Sequence, residues 1–182
     1  MLIALGSNAT LGRMSSEALI QAAIVGLEKQ TFLIRSRSRL YQSPAFPPGS
    51  GADYVNAVVA VESQHAPADA LSALHDIETE FGRQRGLRWG PRTLDLDLLA
   101  VDSKIAPSRA TQTYWRNMAL DDQVRLSPDQ LILPHPRIQD RAFVLVPMAE
   151  VAPDWRHPVL FKTVAQMLAA LPADQVAALR AI

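Results

Sequence analysis

Two carboxylates and four arginines between positions 83 and 97 are the residues of this sequence best suited to do chemistry. Asp95 and Asp97 alternate with Leu94, Leu96 and Leu98, and a period of 2 predicts a strand with the leucines on one face and both acids on the other. Same-face neighbours on a strand are about 6.6–6.8 Å apart, whereas a helix, turning about 100° per residue, would point the two acids nearly opposite ways. Like charges this close repel unless something positive stands between them. A hard divalent cation such as Mg²⁺, held by one or two carboxylates together with substrate phosphates, meets that need. Just upstream, Arg83, Arg85, Arg88 and Arg92 fall within Gly82 to Arg92 with no acid among them. Planar guanidinium forks match phosphate oxygens in pairs, so metal and phosphate could meet here. Gly90 and Pro91 predict a turn that holds Arg92 at the mouth of the strand. The plainer alternative is a strand with one wet face beside a solvated basic loop.

The 182 residues, 48% of them hydrophobic, suit one domain able to bury a sizeable core. Eighteen basic and eighteen acidic residues cancel, so no global field draws in nucleic acid or anionic lipid, and any polyanion site must be local. The absence of cysteine excludes disulfides, thiolate nucleophiles and cysteine zinc sites. The apolar start Met1 to Leu5 breaks at Gly6-Ser7-Asn8, too soon for a signal peptide, and no apolar run approaches the ~20 residues of a membrane span. The expectation is a cytoplasmic monomer with no nucleic-acid or membrane partner.

The chain must supply elements to position the acids. Leu2 to Leu5 predicts a buried strand, and Ser15 can cap a helix reaching about Gln30. Thr31 to Gln42 predicts one long strand with Arg35, Arg37 and Arg39 on a solvated face. A Pro/Gly-rich loop runs from Ser43 to Gly51. Tyr54 to Glu62 predicts a third strand, with Val55, Ala57, Val59 and Val61 on one face and Tyr54, Asn56 and Val58 on the other. Pro67 can open a helix that turns Leu71, Leu74, Ile77 and Phe81 inward and ends at Gly82. With the Asp95/Asp97 strand the order is βαββαβ, an α+β ferredoxin-like unit with an antiparallel sheet and helices on one face. Residues 106–128 lie in a polar, aperiodic stretch, by default a surface excursion, otherwise a lid or a contact for a partner. Beyond it we expect a short strand at Leu131 to Leu133, a rigid Pro134-His135-Pro136 turn, a helix at Arg141 to Val151 bent near Pro147, and terminal helices at Lys162 to Leu171 and Ala173 to Ala181. Gly6-x₅-Gly12 lacks a following Lys-Ser/Thr and is not a P-loop.

Arg88-Trp-Gly-Pro-Arg-Thr-Leu-Asp-Leu-Asp-Leu-Leu99 closely resembles the signature of the 6-hydroxymethyl-7,8-dihydropterin pyrophosphokinase family. The resemblance extends to Ala4-Leu5-Gly6-Ser7-Asn8, Tyr41-Gln42-Ser43-Pro44, Asp53 to Ala57, Pro134 to Arg137 and Arg141 to Phe143, leaving mainly residues 106–128 uncovered, which it marks as an insertion because the family usually has a markedly shorter connection there. It implies transfer of the pyrophosphoryl group of ATP to the pterin alcohol in folate biosynthesis. It further implies catalytic roles for Arg83, Arg92, Asp95 and Asp97, with two Mg²⁺ ions on Asp95 and Asp97. The pterin would meet Ser43, Pro44, Phe46, Tyr54, Asn56 and Phe143. ATP, the co-substrate, would meet Arg83, Arg85, Arg88, Trp89, Arg92, Leu98, His135 and Arg141. Ala45 and Phe46 stand where the family often has Pro and an aliphatic residue.

Read from the residues alone, Tyr54 and Asn56 share a strand face and can offer a ring and an amide to one flat heterocycle. Their plainer reading is a core tyrosine and a strand-end amide. His135, a lone histidine between prolines, reads by itself as a structural turn residue, and Glu78 as a surface charge or an orienting partner for an arginine. The loops at 43–51 and 82–92 are candidates to close over ATP. A catalytically silent relative and a ferredoxin-like nucleic-acid module are the rival readings; intact Asp95 and Asp97 count against the first, and zero net charge against the second.

Overall fold

The computed structural model describes residues 1–45, 51–83, 92–119, 122 and 125–182. Phe46, Arg85, Arg88 and Trp89, and most of both candidate closing loops, lie outside the described residues. In chain order the elements are β1 (Leu2–Ser7), α1 (Ser16–Lys29), β2 (Leu33–Arg37), β3 (Tyr41–Ser43), β4 (Tyr54–Glu62), α2 (Pro67–Glu80), β5 (Asp95–Ala100), α3 (Arg109–Arg116), a 3-10 turn (Ile138–Asp140), α4 (Ala142–Val151), α5 (Val164–Leu168), α6 (Ala173–Ala177) and β6 (Arg180–Ala181).

Among the described residues the sheet runs β5-β1-β4-β3-β6, with β2 also on β4. Every strand pair is antiparallel. Taken as one bent strand, β2 and β3 complete the ferredoxin-like βαββαβ order. Alternation decides what each face does. Ile3, Leu5, Val55, Ala57, Val59, Leu96 and Leu98 point to the side covered by α1 and α2 and form the main core. Leu2, Val58, Leu99 and Ala100 point the other way and pack under Val144, Leu145 and Met148 of α4 and Val164 and Met167 of α5. Full burial of each such side chain is worth about 1.5–3 kcal/mol. The far face is therefore filled at the α4 end, and Asp95, Asn56 and Tyr54 stand at the other end of the same face.

Helix limits follow local chemistry. The Ser15 side chain accepts from Ala18 N at 3.3 Å, capping α1 as expected. Gly82 follows α2 at φ 72°, donating to the Thr79 carbonyl at 3.0 Å, a left-handed end that glycine adopts freely. A Cβ on Gly26 would come within 3.3 Å of Ile77 Cγ2, so its lack of a side chain lets α1 lie close on α2.

The structure corrects four expectations. The strand from Thr31 to Gln42 is broken: Ser38 pairs with Val58 through both its backbone N–H and its hydroxyl, and the chain bends there into β2 and β3. Leu131 to Leu133 is no strand, since only Leu133 bridges to Ala106. The stretch 106–128 is no mere excursion, because Ser108 caps α3 by accepting from Thr111 N and Gln112 of that helix is fully buried. The chain after Ala177 is not helical; Arg180 and Ala181 form β6 on β3. Among the described residues no helix is long and apolar enough to cross a membrane.

Candidate active site

The cluster forms where β1 ends and β5 begins. Gly6 sits between Asn56 of β4 and Asp95 of β5 in register, and a Cβ built on it would lie 3.7 Å from Asn56 Oδ1 and 3.9 Å from Asp95 Cβ. The missing side chain keeps the floor between amide and carboxylate open. Asn8, two residues on, clips the lead-in to β5. Its N–H donates to the Arg92 carbonyl at 3.0 Å, its side-chain oxygen accepts from Arg92 N at 2.8 Å, and its Nδ2 donates to the Ala52 carbonyl at 3.3 Å. In the sequence Asn8 was legible only as a member of the Gly-Ser-Asn turn; its double grip on Arg92 depends on a contact 84 residues away.

Asp95 and Asp97 share a face, as alternation required, while Leu96 and Leu98 are buried behind them. Asp95 is bound on both oxygens, Oδ1 by Arg83 at 2.6 Å and Oδ2 by Arg92. Asp97 is more open and faces Arg141 Nη1 at 3.9 Å. Arg141 stands at the N-terminal end of α4 and also stacks over Phe143, its guanidinium carbon 5.5 Å from the ring centre. Phe143 and Tyr54 make no ring contact with each other among the described residues, and Phe143 is 36% exposed. Leu98 is 3% exposed in the helix-side core, which turns its side chain away from the acids and leaves only its backbone for a nucleotide.

Glu78 is the residue most undervalued by sequence reasoning. It is 1% exposed, accepts from Leu96 N at 2.7 Å and pairs with Arg83. Because β5 is an edge strand, that N–H would otherwise be a buried, unpaired donor. Burial drives the Glu78 carboxyl up to about 7, with Asp95 and Asp97 pushing the same way and the Leu96 N–H and Arg83 opposing. The signal was present as an acid four positions from Leu74 and one from Ile77 on the inward face of α2.

On the pterin side of the sequence expectation, Asn56 is 5% exposed. Its Nδ2 donates to Ser43 Oγ at 2.9 Å and to the Tyr41 carbonyl at 3.3 Å, so its oxygen is the part turned toward Gly6. Ser43 is buried and Pro44 exposed at the entrance of the loop. Burial raises the Tyr54 phenol, with Asp95 adding to and Arg92 and Arg83 opposing the shift, which puts Tyr54 in the field of the charge cluster. His135 N donates to the Leu99 carbonyl at 2.8 Å, docking the turn beside β5. Its Nδ1 accepts from Arg137 N at 3.1 Å, which leaves the proton on Nε2. Desolvation first, then the nearby Arg141, lowers its ring to about 3. It is a neutral donor.

A ferredoxin-like α+β transferase acting on a phosphorylated substrate is the class that this sheet and this charge cluster define. A family model described as 7,8-dihydro-6-hydroxymethylpterin-pyrophosphokinase (HPPK) matches residues 2–153. The chain is 38% identical over 176 residues to the 2-amino-4-hydroxy-6-hydroxymethyldihydropteridine pyrophosphokinase of Pseudomonas aeruginosa, covering 96% of this chain and 93% of that one. It is 37% identical over 147 residues to the protein of the same name from Synechocystis sp., covering 81% of this chain and 62% of that one. The backbone is similar to a Plasmodium falciparum HPPK-DHPS crystal structure with pterin and p-hydrobenzoate, at a TM-score of 0.65 and 12% identity over 100% of this chain and 47% of that one; this likeness concerns the fold alone. The chain thus spans under two thirds of the Synechocystis protein and under half of the Plasmodium chain. It belongs to the 7,8-dihydro-6-hydroxymethylpterin-pyrophosphokinase family and is a diphosphotransferase with ATP as co-substrate.

Proposed function

We propose that this chain transfers the pyrophosphoryl group of ATP to 6-hydroxymethyl-7,8-dihydropterin, a step of folate biosynthesis. The observation that carries the reading is the Gly6 floor, with an amide acceptor on one side and an arginine-bound carboxylate pair on the other. The hydroxymethyl oxygen attacks the β-phosphorus, the bond from that phosphorus to the α-phosphate oxygen breaks, and AMP leaves. The alcohol's proton is given up to solvent water.

Each residue contributes by position and charge. The Asn56 oxygen accepts an N–H from the edge of the pterin, and Tyr54 and Phe143 offer faces to its ring. Arg83 and Arg92 release Asp95 and turn to the transferring phosphates, with Arg141 and the Nε2–H of His135 on the same charge. Asp95 and Asp97 offer hard oxygen donors on one face, a donor set that fits Mg²⁺. Two such ions held there would neutralise phosphate oxygens and hold ATP in line. Among the described residues no third acid or histidine joins the pair, so phosphate oxygens and water would complete the coordination. We extend the proposal to a cytoplasmic monomer with no nucleic-acid or membrane partner.

The test is to mix protein, Mg-ATP and 6-hydroxymethyl-7,8-dihydropterin and identify the nucleotide released. AMP with a pterin pyrophosphate is the expected result. ADP would make the chain an ordinary kinase, and neither product would reduce it to a binding protein.

A further inference from the structure

The insertion carries a helix that touches the functional turn. Helix α3 ends at Arg116, and its last carbonyls have no partner within the helix. Arg137, two residues after His135, supplies one: its Nη2 donates to the Trp115 carbonyl at 3.0 Å and its Nη1 to the Arg116 carbonyl at 3.1 Å. A guanidinium at a helix C-terminus also meets the negative end of the helix dipole. Only 12% of the Arg137 side chain is exposed, and with both terminal nitrogens engaged it is not a free phosphate ligand. A second tie comes from Gln112, fully buried, whose Nε2 donates to the Pro134 carbonyl at 3.3 Å. The turn is thus gripped on one side by α3, through Pro134 and Arg137, and on the other by β5, through His135 N and Leu99. Between these grips Arg137 N donates to His135 Nδ1 and sets which ring nitrogen bears the proton.

We propose that the inserted helix α3 braces the His135 turn, and that Arg137 is the positioning residue through which it does so. The inference deepens the reading of His135 as a nucleotide-side donor and rests on it. Loss of the Arg137 side chain frees the carbonyl end of α3 and lets the turn drift from the end of β5. The Nε2–H of His135 then no longer points reliably at the phosphates, while the amide of Asn56, across the sheet, keeps its place.

Affinities for Mg-α,β-methylene-ATP, whose scissile position cannot be cleaved, and for the pterin alone test this by calorimetry in Arg137→Ala, His135→Ala and the double variant. Arg137→Ala should weaken the nucleotide roughly ten-fold, the scale of a hydrogen bond to a charged group, and leave the pterin within two-fold. In the His135→Ala background the same change should add less than two-fold. Arg137→Lys, which can reach one carbonyl but lacks the fork, should recover part of the loss. Ring ¹⁵N shifts of His135 read the brace without nucleotide: one Nε2–H form in the parent chain and a mixture in Arg137→Ala. If Arg137→Ala does not fold, Gln112→Met, which deletes the other tie at similar volume, should give the same tautomer mixture and a smaller nucleotide defect. Additive losses in the double variant, equal losses for nucleotide and pterin, or an unchanged tautomer would overturn the brace. A neutral His135→Ala would instead remove His135 from the nucleotide site, and the tautomer measurement would still decide whether the brace exists.

Discussion

Replacing Glu78 by glutamine tests whether a buried carboxyl under β5 couples the stability of this chain to pH. The carboxyl is raised from 4.5 to about 7, which at 1.36 kcal/mol per pH unit amounts to roughly 3 kcal/mol between its two protonation states. The sign follows from proton counts. Between pH 4.5 and 7 the folded chain keeps a proton on Glu78 that the unfolded chain has lost, so stability falls as pH rises through this window and levels off above it. Glutamine can still accept the Leu96 N–H but carries no charge. Glu78→Gln should therefore lack this term, and the difference in unfolding free energy between variant and parent should climb by roughly 2–3 kcal/mol in the variant's favour from pH 5 to pH 8.5. Urea unfolding across that range, with equal m-values, measures it. Parallel profiles for the two chains would refute the argument and mean that Arg83 holds the carboxylate charged throughout. Activity should move the other way, because Arg83 loses the anchor that sets its position beside Asp95.

Four further outcomes follow from the same geometry. Asp95→Asn and Asp97→Asn should each abolish turnover while leaving pterin affinity within about three-fold, as read by kinetics and pterin fluorescence; unchanged turnover in either would remove it from the proposed metal-holding pair. Gly6→Ala should fold normally, since its Cβ would make only van der Waals contacts at 3.7 and 3.9 Å, but should weaken pterin and nucleotide together by filling the floor between them. Ser43→Ala frees one N–H of Asn56 and should raise the pterin dissociation constant roughly five- to ten-fold, the scale of one buried hydrogen bond, with Ser43→Thr restoring it. Chelation of divalent ions by EDTA should stop turnover and leave the melting temperature of the free chain unchanged, because arginines already neutralise Asp95.

Much of this was legible where one local rule was sufficient. The alternation Leu94 to Leu98 put both acids on one face because strand periodicity has a single solution, and Ser15 and Gly82 marked helix ends because their side chains, or the lack of one, are suited to nothing else there. The misses share a cause. The break at Ser38, helix α3 and the short β6 are each stabilised by partners distant in sequence: Val58, Pro134 with Arg137, and β3. Glu78 was legible as an orienting partner for an arginine, which its pair with Arg83 bears out; its burial was not legible, for a related reason. An acid on an amphipathic helix counts as surface until the edge of β5, with its spare N–H, is laid beside it. Asn8 and Ser43 were visible as motif letters, yet their work, holding Arg92 and aiming the Asn56 amide, exists only once three chain segments meet.

The charge cluster has a further consequence for how catalysis begins. Asp95 carries two arginines, and Glu78 shares one of them, so once Glu78 ionises, above about pH 7, these two acids and two arginines nearly cancel. Such compensation lets carboxylates sit half-buried without metal, since an unpaired charge there would be costly. It also means that the arginines proposed to bind phosphate and the acid proposed to bind Mg²⁺ occupy each other. On the proposed reading Mg-ATP would bring both counter-charges at once: Asp95 and Asp97 would hold the cation, and the freed Arg83 and Arg92 would be available to the phosphates. Free ATP brings only anions and a bare cation only positive charge, so each alone must break Asp95 from Arg83 and Arg92 without offering both replacements. The arrangement therefore favours the metal–nucleotide complex over its parts, and nucleotide affinity should depend on Mg²⁺ far more steeply than pterin affinity does. Equal binding of ATP with and without Mg²⁺ would show that Arg83 and Arg92 never leave Asp95.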